Sequence, residues 1–331
     1  MQELWAVYHE DVPEFLREFA ATPPMQRLKD VGMNCGCEYT AFPLFANLRP
    51  YSRFDHSVGV ALIIWHFTHD SAQTIAGLLH DVATPVFAHV VDFLRGDHVK
   101  QEATEAGTEQ MIASSAAIQQ CMRRHGLTTD DVCDYHRYPI ADNDTPQLSA
   151  DRLEYTIGNV INYGICTAEE AASFCRDLTV TENESGAPEL GFRTADTASR
   201  FARAALACSR IYVADEDRYA MQMLAECLRD AINGGVIRTE DLHTTEPEVI
   251  AKLLSDDSCR TRWEAFRRLH AMQRADAPDC HPGWRQIPAK KRFIDPYAVG
   301  AGRVSAFDDA FRHELDAFLR DDLTVWVCQA D

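Results

Sequence analysis

Apolar positions recur along this chain at helical spacing far more often than in strict alternation. Residues 57–68 are apolar nearly all round, which predicts a helix buried in the centre of the molecule. Residues 71–80 place Ala72, Ile75, Ala76 and Leu79 on one helical face, with Ser71 as the expected N-cap. Residues 217–233 repeat the pattern with Met221, Leu224, Ala225, Leu228 and Ile232, and Gly234-Gly235 supplies a stop. Ser305 is expected to cap a helix that carries Phe307, Phe311, Leu315 and Phe318. Two stretches break the helical rule. Leu178–Thr181 and Leu190–Phe192 flank a turn-rich loop and predict a short hairpin. From Trp284 to Val304 the chain is basic and irregular with strand-like pieces, and Val325-Trp-Val327 is expected to pair with them.

These elements predict a mainly α protein: a helical core within residues 1–235, and a smaller mixed α/β portion over 236–331 packed on it. No continuous parallel sheet is expected. The length of 331 residues fits one large domain or a core with an appendage. Hydrophobic residues make up 46% and charged residues 25%, which excludes disorder and fibrous repeats. The net charge of −19 argues against nucleic-acid binding, although a few Arg and Lys can still reverse the field inside a cleft. No window approaches the length of a membrane span, and the N-terminus lacks the pattern of a signal peptide. Eleven cysteines then read as reduced thiols, and the expected location is the cytoplasm. Cys35-x-Cys37 has no second cysteine pair to complete a metal site and reads as coincidence.

The chemistry-bearing residues are His56, His80, Asp81 and Asp151. His56 stands at the head of the first helix, and His80-Asp81 close the second. Adjacent helical residues point about 100° apart, from 3.6 residues per turn, so they converge only on something sitting at the helix end. A metal ion fits, because imidazole and carboxylate are its standard ligands. Two His and two carboxylates suit Zn, Fe, Mn or Ni. Taken alone, a His-Asp dipeptide is more often a satisfied buried histidine beside a helix-end aspartate. His66, His69 and Asp70 form a similar cluster that reads as a solvated helix end.

The surrounding text changes that balance. Arg53-Phe-Asp-His56-Ser-Val-Gly-Val60, Leu78-Leu-His80-Asp81-Val, Pro85-x-Phe87-x-His89 and Asp151 together resemble the HD-domain metal phosphohydrolases. Within them the chain is most similar to the deoxynucleoside triphosphate triphosphohydrolase branch. Thr22-Pro-x-x-Gln26-Arg-Leu28, the helices over 194–242 and Lys290-Lys-Arg-Phe-Ile-Asp-Pro296 resemble further parts of that branch, so the likeness covers most of the chain. The resemblance implies an HD-type helical core and one divalent metal ion on His56, His80, Asp81 and Asp151, with Mg an option alongside substrate. It implies a nucleotide substrate, with Arg53 and Arg152 near its phosphates, Gln26 and Asn159 on its sugar, and Tyr155 stacked against it. Asp81 would also orient the attacking water, and His89 or His98 would protonate the leaving oxygen. Tyr155 fits a core position equally well, and Arg53 and both histidines also fit plain surface positions.

The chain departs from the branch at three places. Ala83-Thr84 replaces a Gly-His pair, and a hydroxyl cannot act as a general acid near neutral pH. The stretch Asn34–Pro50 is a long irregular insert expected to border the nucleotide pocket. Arg203 and Tyr212 only partly match an Arg and a Tyr that contact substrate. Three readings stay open: a triphosphohydrolase, a nucleotide phosphomonoesterase or phosphodiesterase, and a catalytically weakened nucleotide sensor. The sequence leaves self-association open and expects no membrane partner.

Overall fold

The structure is a computed structural model that describes residues 2–95, 107–276 and 282–330. It is mainly helical, and five helices carry the site: α1 (Arg53–Thr68), α2 (Ser71–Leu79), α3 (Ala150–Asn162), α4 (Ala195–Ile211) and α5 (Asp215–Asn233). The first helix begins before the apolar run. Ser52 and Asp55 exchange hydrogen bonds in a capping box, which brings Arg53 and His56 into its first turns. Buried on most of its circumference, α1 packs against both α2 and α3.

Asp70, not Ser71, caps α2. Its carboxylate accepts from the amides of Ala72 (2.8 Å) and Gln73 (3.2 Å), a longer reach than the Ser71 hydroxyl has, so Ser71 becomes the first helical residue. The predicted C-terminal helix is likewise two helices, Val304–Phe307 and Asp309–Arg320, and Asp308 caps the second by accepting from Phe311 N at 3.0 Å. The glycine stop of α5 is present, with Gly235 at φ 70°.

Among the described residues, seven short strands form two small sheets. One has the order β1 (Leu178–Glu182), β2 (Pro188–Phe192), β5 (Tyr297–Ala298), β6 (Gly302–Arg303), and the other β3 (Met272–Ala275), β7 (Trp326–Gln329), β4 (Arg285–Gln286). β1 and β2 form the predicted hairpin, with Leu178 opposite Phe192. The sole parallel pairing among the described residues joins β2 to β5 over two residue pairs. β7 pairs with β4, as the sequence predicts, and also with β3.

One connected apolar core runs from Leu4 to Val327, so the C-terminal elements share it with the helices. A fully buried guanidinium ties the two together. Arg218 of α5 donates to the carbonyls of Val213 (3.0 Å), Leu323 (2.8 Å) and Ile287 and to Asp215 (2.6 Å). The ten described cysteines form no disulfide. No described helix is long and apolar enough to cross a membrane.

Candidate metal centre

His56 on α1, His80 just past the end of α2 and Asp151 in the first turn of α3 converge although they are distant in sequence. Their ligand atoms all lie within 4.8 Å of one another. His56 Nε2 is 3.0 Å from Asp151 Oδ1, and His80 Nε2 is 3.7 Å from the same oxygen. Asp81 Oδ2 flanks the cluster, 3.9 Å from His56 Nε2 and 3.5 Å from His80 Nε2. Ligand bonds of about 2.0–2.2 Å set donor atoms around one centre about 3–3.5 Å apart, so this spacing fits a single ion.

The supports of the ligands fit one as well. His80 Nδ1 lies 2.7 Å from the Gly77 carbonyl, to which it donates, leaving Nε2 to face the cluster. His56 Nδ1 is 2.6 Å from Glu154 Oε2, on the helical turn after Asp151. Glu154 also accepts from Tyr51 at 2.5 Å and Tyr8 at 3.4 Å. A carboxylate behind a ligating imidazole fixes its tautomer and raises its basicity. Asp81 is held from both sides: Arg53 Nη1 reaches Oδ2 at 2.7 Å, and the Thr84 hydroxyl donates to Oδ1 at 2.6 Å.

The electrostatics describe a pocket that demands positive charge. Burial alone pushes His56 down, but Asp151 and Glu154 outweigh it and hold the ring up at about 10. Burial pushes Asp151 up, and His56 more than offsets this, leaving it at about 2. Burial likewise opposes the ionisation of Asp81, yet Arg53, His80, His56 and Thr84 hold its carboxyl well below the usual range. A divalent cation meets the same demand once His56 gives up its Nε2 proton.

The cluster lies in a cavity of about 170 Å³. Beyond His56, His80, Asp81 and Asp151, its walls include His89, Tyr155, Asn159, Tyr163, Tyr212 and Asp217. Phe87 and Ala88, at φ 59° and 44°, force the backbone through the left-handed region just before His89. His89 Nδ1 is 2.9 Å from Asp92 Oδ2, which leaves Nε2 for the cavity. Burial lowers the His89 pKa, Asp92 opposes this, and Arg292 and Arg53 lower it further.

Several sequence candidates sit elsewhere. Gln26 gives its amide to the Ala20 carbonyl at 2.7 Å and does not line the cavity. Its neighbour Arg27 instead staples the carbonyls of Val82, Thr84 and Thr244. Arg152 turns to the 142–147 loop, donating to Asn143 Oδ1 (2.5 Å) and to the carbonyls of Asn143 and Gln147, and it lines an adjoining cleft. Arg203 pairs with Asp308 and Glu314, away from the cavity, whereas Tyr212 lines it. The insert borders the cavity through Asn34 and Cys35, and Cys37 is buried with its thiol 3.8 Å from Asp217. His98 lies outside the described residues.

Sequence reasoning missed Glu154, Lys290 and Arg292, and the latter two line the cavity. A carboxylate three residues after Asp151 was the available signal for Glu154.

No protein-family model matches the chain. It is 29% identical over 238 residues to the uncharacterized protein YdhJ of Bacillus subtilis, covering 71% of this chain and 69% of that protein. It is 23% identical over 206 residues to the metal-dependent phosphohydrolase cns2 of Cordyceps militaris, covering 60% of this chain. The chain spans only about half of that relative's length, 53%.

Proposed function

We propose that this protein is a metal-dependent phosphohydrolase of the HD-domain kind, acting on a nucleotide. The observation that carries the reading is the convergence of His56, His80 and Asp151, with Asp81 beside them, on the wall of a cavity. The distant relative named a metal-dependent phosphohydrolase supports the same activity.

His56, His80, Asp151 and Asp81 would hold one divalent ion, and the donor set suits Zn, Fe, Mn or Ni. Such an ion acidifies water and polarises a phosphoryl oxygen. The remaining roles belong to the chain. Glu154 and the Gly77 carbonyl orient the two imidazoles. Arg53 and Thr84 keep Asp81 ionised and fixed. His89 is our candidate for protonating the leaving oxygen. Burial and nearby cations lower its pKa, and the negative charge of a bound phosphate raises it toward the range a donor needs. Tyr155, Tyr163 and Tyr212 offer aromatic surface for the nucleoside. Asn159 donates to the Tyr212 hydroxyl at 2.7 Å, and its own Oδ1 is buried without a donor among the described residues. That oxygen suits a sugar hydroxyl.

The finer form of the proposal is triphosphate release from a deoxynucleoside triphosphate, which rests on the resemblance of the motifs. Orthophosphate release from a monoester is the second reading. It is favoured by Thr84, whose hydroxyl is committed to Asp81 where the branch carries another histidine. The test is a panel of nucleoside mono-, di- and triphosphates with added metal, with orthophosphate, pyrophosphate and triphosphate separated. Triphosphate release supports the finer form and orthophosphate the second reading. Binding without turnover overturns both in favour of a sensor.

A further inference from the structure

We infer that Lys290 and Arg292 form a cationic clamp for the phosphoryl group of the ligand, supplied by the C-terminal segment and not by the helices that carry the metal ligands. The inference rests on the function proposed above for naming the anion as phosphoryl.

Both residues line the cavity that holds His56, His80, Asp81 and Asp151. Both also line the adjoining cleft with His136, Arg152 and Phe293, so they stand where the two spaces meet. Arg292 is near enough to His89 and Tyr155 for its charge to act on both. Lys291 stands between Lys290 and Arg292 and lines neither space. Its ammonium turns outward and donates to the carbonyls of Leu319 (2.9 Å) and Asp321, at the end of the Asp309–Arg320 helix.

The segment is pinned at both ends, so its cations are delivered by fixed backbone. At one end, the buried Arg218 holds the Ile287 carbonyl. At the other, Asp295 N donates to the Pro146 carbonyl at 2.9 Å, and the Asp295 carboxylate accepts from Ser305 N (2.9 Å) and Oγ (2.5 Å).

The charge balance calls for such a pair. Asp81 and Asp151 line the cavity, and a phosphoryl group brings further negative charge. Arg53 is engaged with Asp81 at 2.7 Å, and Arg152 with the 142–147 loop. Lys290 and Arg292 bring positive charge to the cavity from the C-terminal segment.

Lys290→Gln/Arg292→Gln tests the clamp, with inorganic phosphate as the probe. Phosphate is titrated calorimetrically into wild type and variant as purified, and metal content and unfolding temperature are measured on the same samples. Losing charge-assisted hydrogen bonds should weaken phosphate binding roughly tenfold to a hundredfold, with metal content and unfolding temperature unchanged. Equal affinities overturn the inference, as does a metal-loaded wild type that binds no phosphate. If the double variant does not fold, Arg292→Gln is compared with Arg292→Lys. The charge-retaining variant should bind phosphate more tightly, and equal binding overturns the clamp. A wild type that binds phosphate through this pair yet hydrolyses no phosphate ester sinks the proposed activity and leaves the clamp standing.

Discussion

Glu154 makes the strongest case at the scale of single residues. Its carboxylate is buried, accepts from two tyrosines and aligns His56 from behind. Glu154→Gln keeps the shape but lets the amide present a donor where His56 Nδ1–H needs an acceptor. Metal affinity should fall about 10–100-fold, the range for such supporting groups, as read by competition with a chelating dye. Unaltered affinity would mean that the tyrosines alone hold the ring. His89 is a different case, since its ring supports no ligand. His89→Ala should lower turnover by about 10²–10⁴-fold, the usual worth of a proton donor, while bound metal stays constant by elemental analysis. An active His89→Ala enzyme removes this residue from the mechanism. His80→Ala and Asp81→Ala should instead lower the metal content itself, and unchanged content in both would refute the ligand set.

At the scale of elements, the site depends on how closely α1 and α3 approach. Gly59 lies three residues after His56, and a Cβ there would stand 2.5 Å from Glu154 Oε1 and 2.6 Å from its Cγ. Gly158 on α3 plays the matching part, since a Cβ there would meet the Tyr51 ring at 2.6 Å. Gly59→Ala would gain about 1 kcal/mol of helix propensity. Overpacking a tied, buried carboxylate costs about 1–3 kcal/mol, so the steric term should win. Urea unfolding should show a net loss of stability, and metal affinity should fall with it because Glu154 must move. A stabilised Gly59→Ala protein with full metal affinity would show that the helices can part without harm.

At the scale of the whole molecule, buried acids tie the insert to the C-terminal half and make stability depend on pH. Glu38 faces Glu246, which accepts from Gly32 N and the Tyr39 hydroxyl at 2.8 Å each. Burial, and then Glu246, push Glu38 up to about 8. Burial also pushes Asp217 up to about 8, against the Cys37 thiol and Arg218. Acids raised in the folded state bind more protons there than in the unfolded chain. Their contribution is therefore complete below the ordinary values of 4.5 and 3.8 and is lost as pH rises toward about 8. Unfolding free energy from urea titrations should fall between about pH 5 and pH 8, and Glu38→Gln should flatten that slope. A slope unchanged in Glu38→Gln would place the linkage elsewhere.

What the sequence determined by itself was local. The periodicity of 57–68, 71–80 and 217–233 marked the helices, because an apolar face must be buried whatever it packs on. The turn-rich stretch between Leu178 and Phe192 marked the hairpin. His56, His80 and Asp151 were legible because their neighbours resemble a known text, and the structure brings these three together. Caps were less legible: several side chains near each helix start can accept from its free amides, and which one wins depends on reach. The rest depended on contacts distant in the chain, which no local pattern encodes. Glu154 reads as one more polar residue on an amphipathic helix until α3 meets α1. Arg53 and Arg152 read as phosphate ligands, and the sequence does not show the partners that folding brings them, Asp81 and the 142–147 loop. Lys290 and Arg292 read as part of a basic irregular tail until Arg218 and Asp295 pin that tail across the cavity. A charge has no partner in the sequence pattern, because its partners come from segments distant in the chain that meet only on folding.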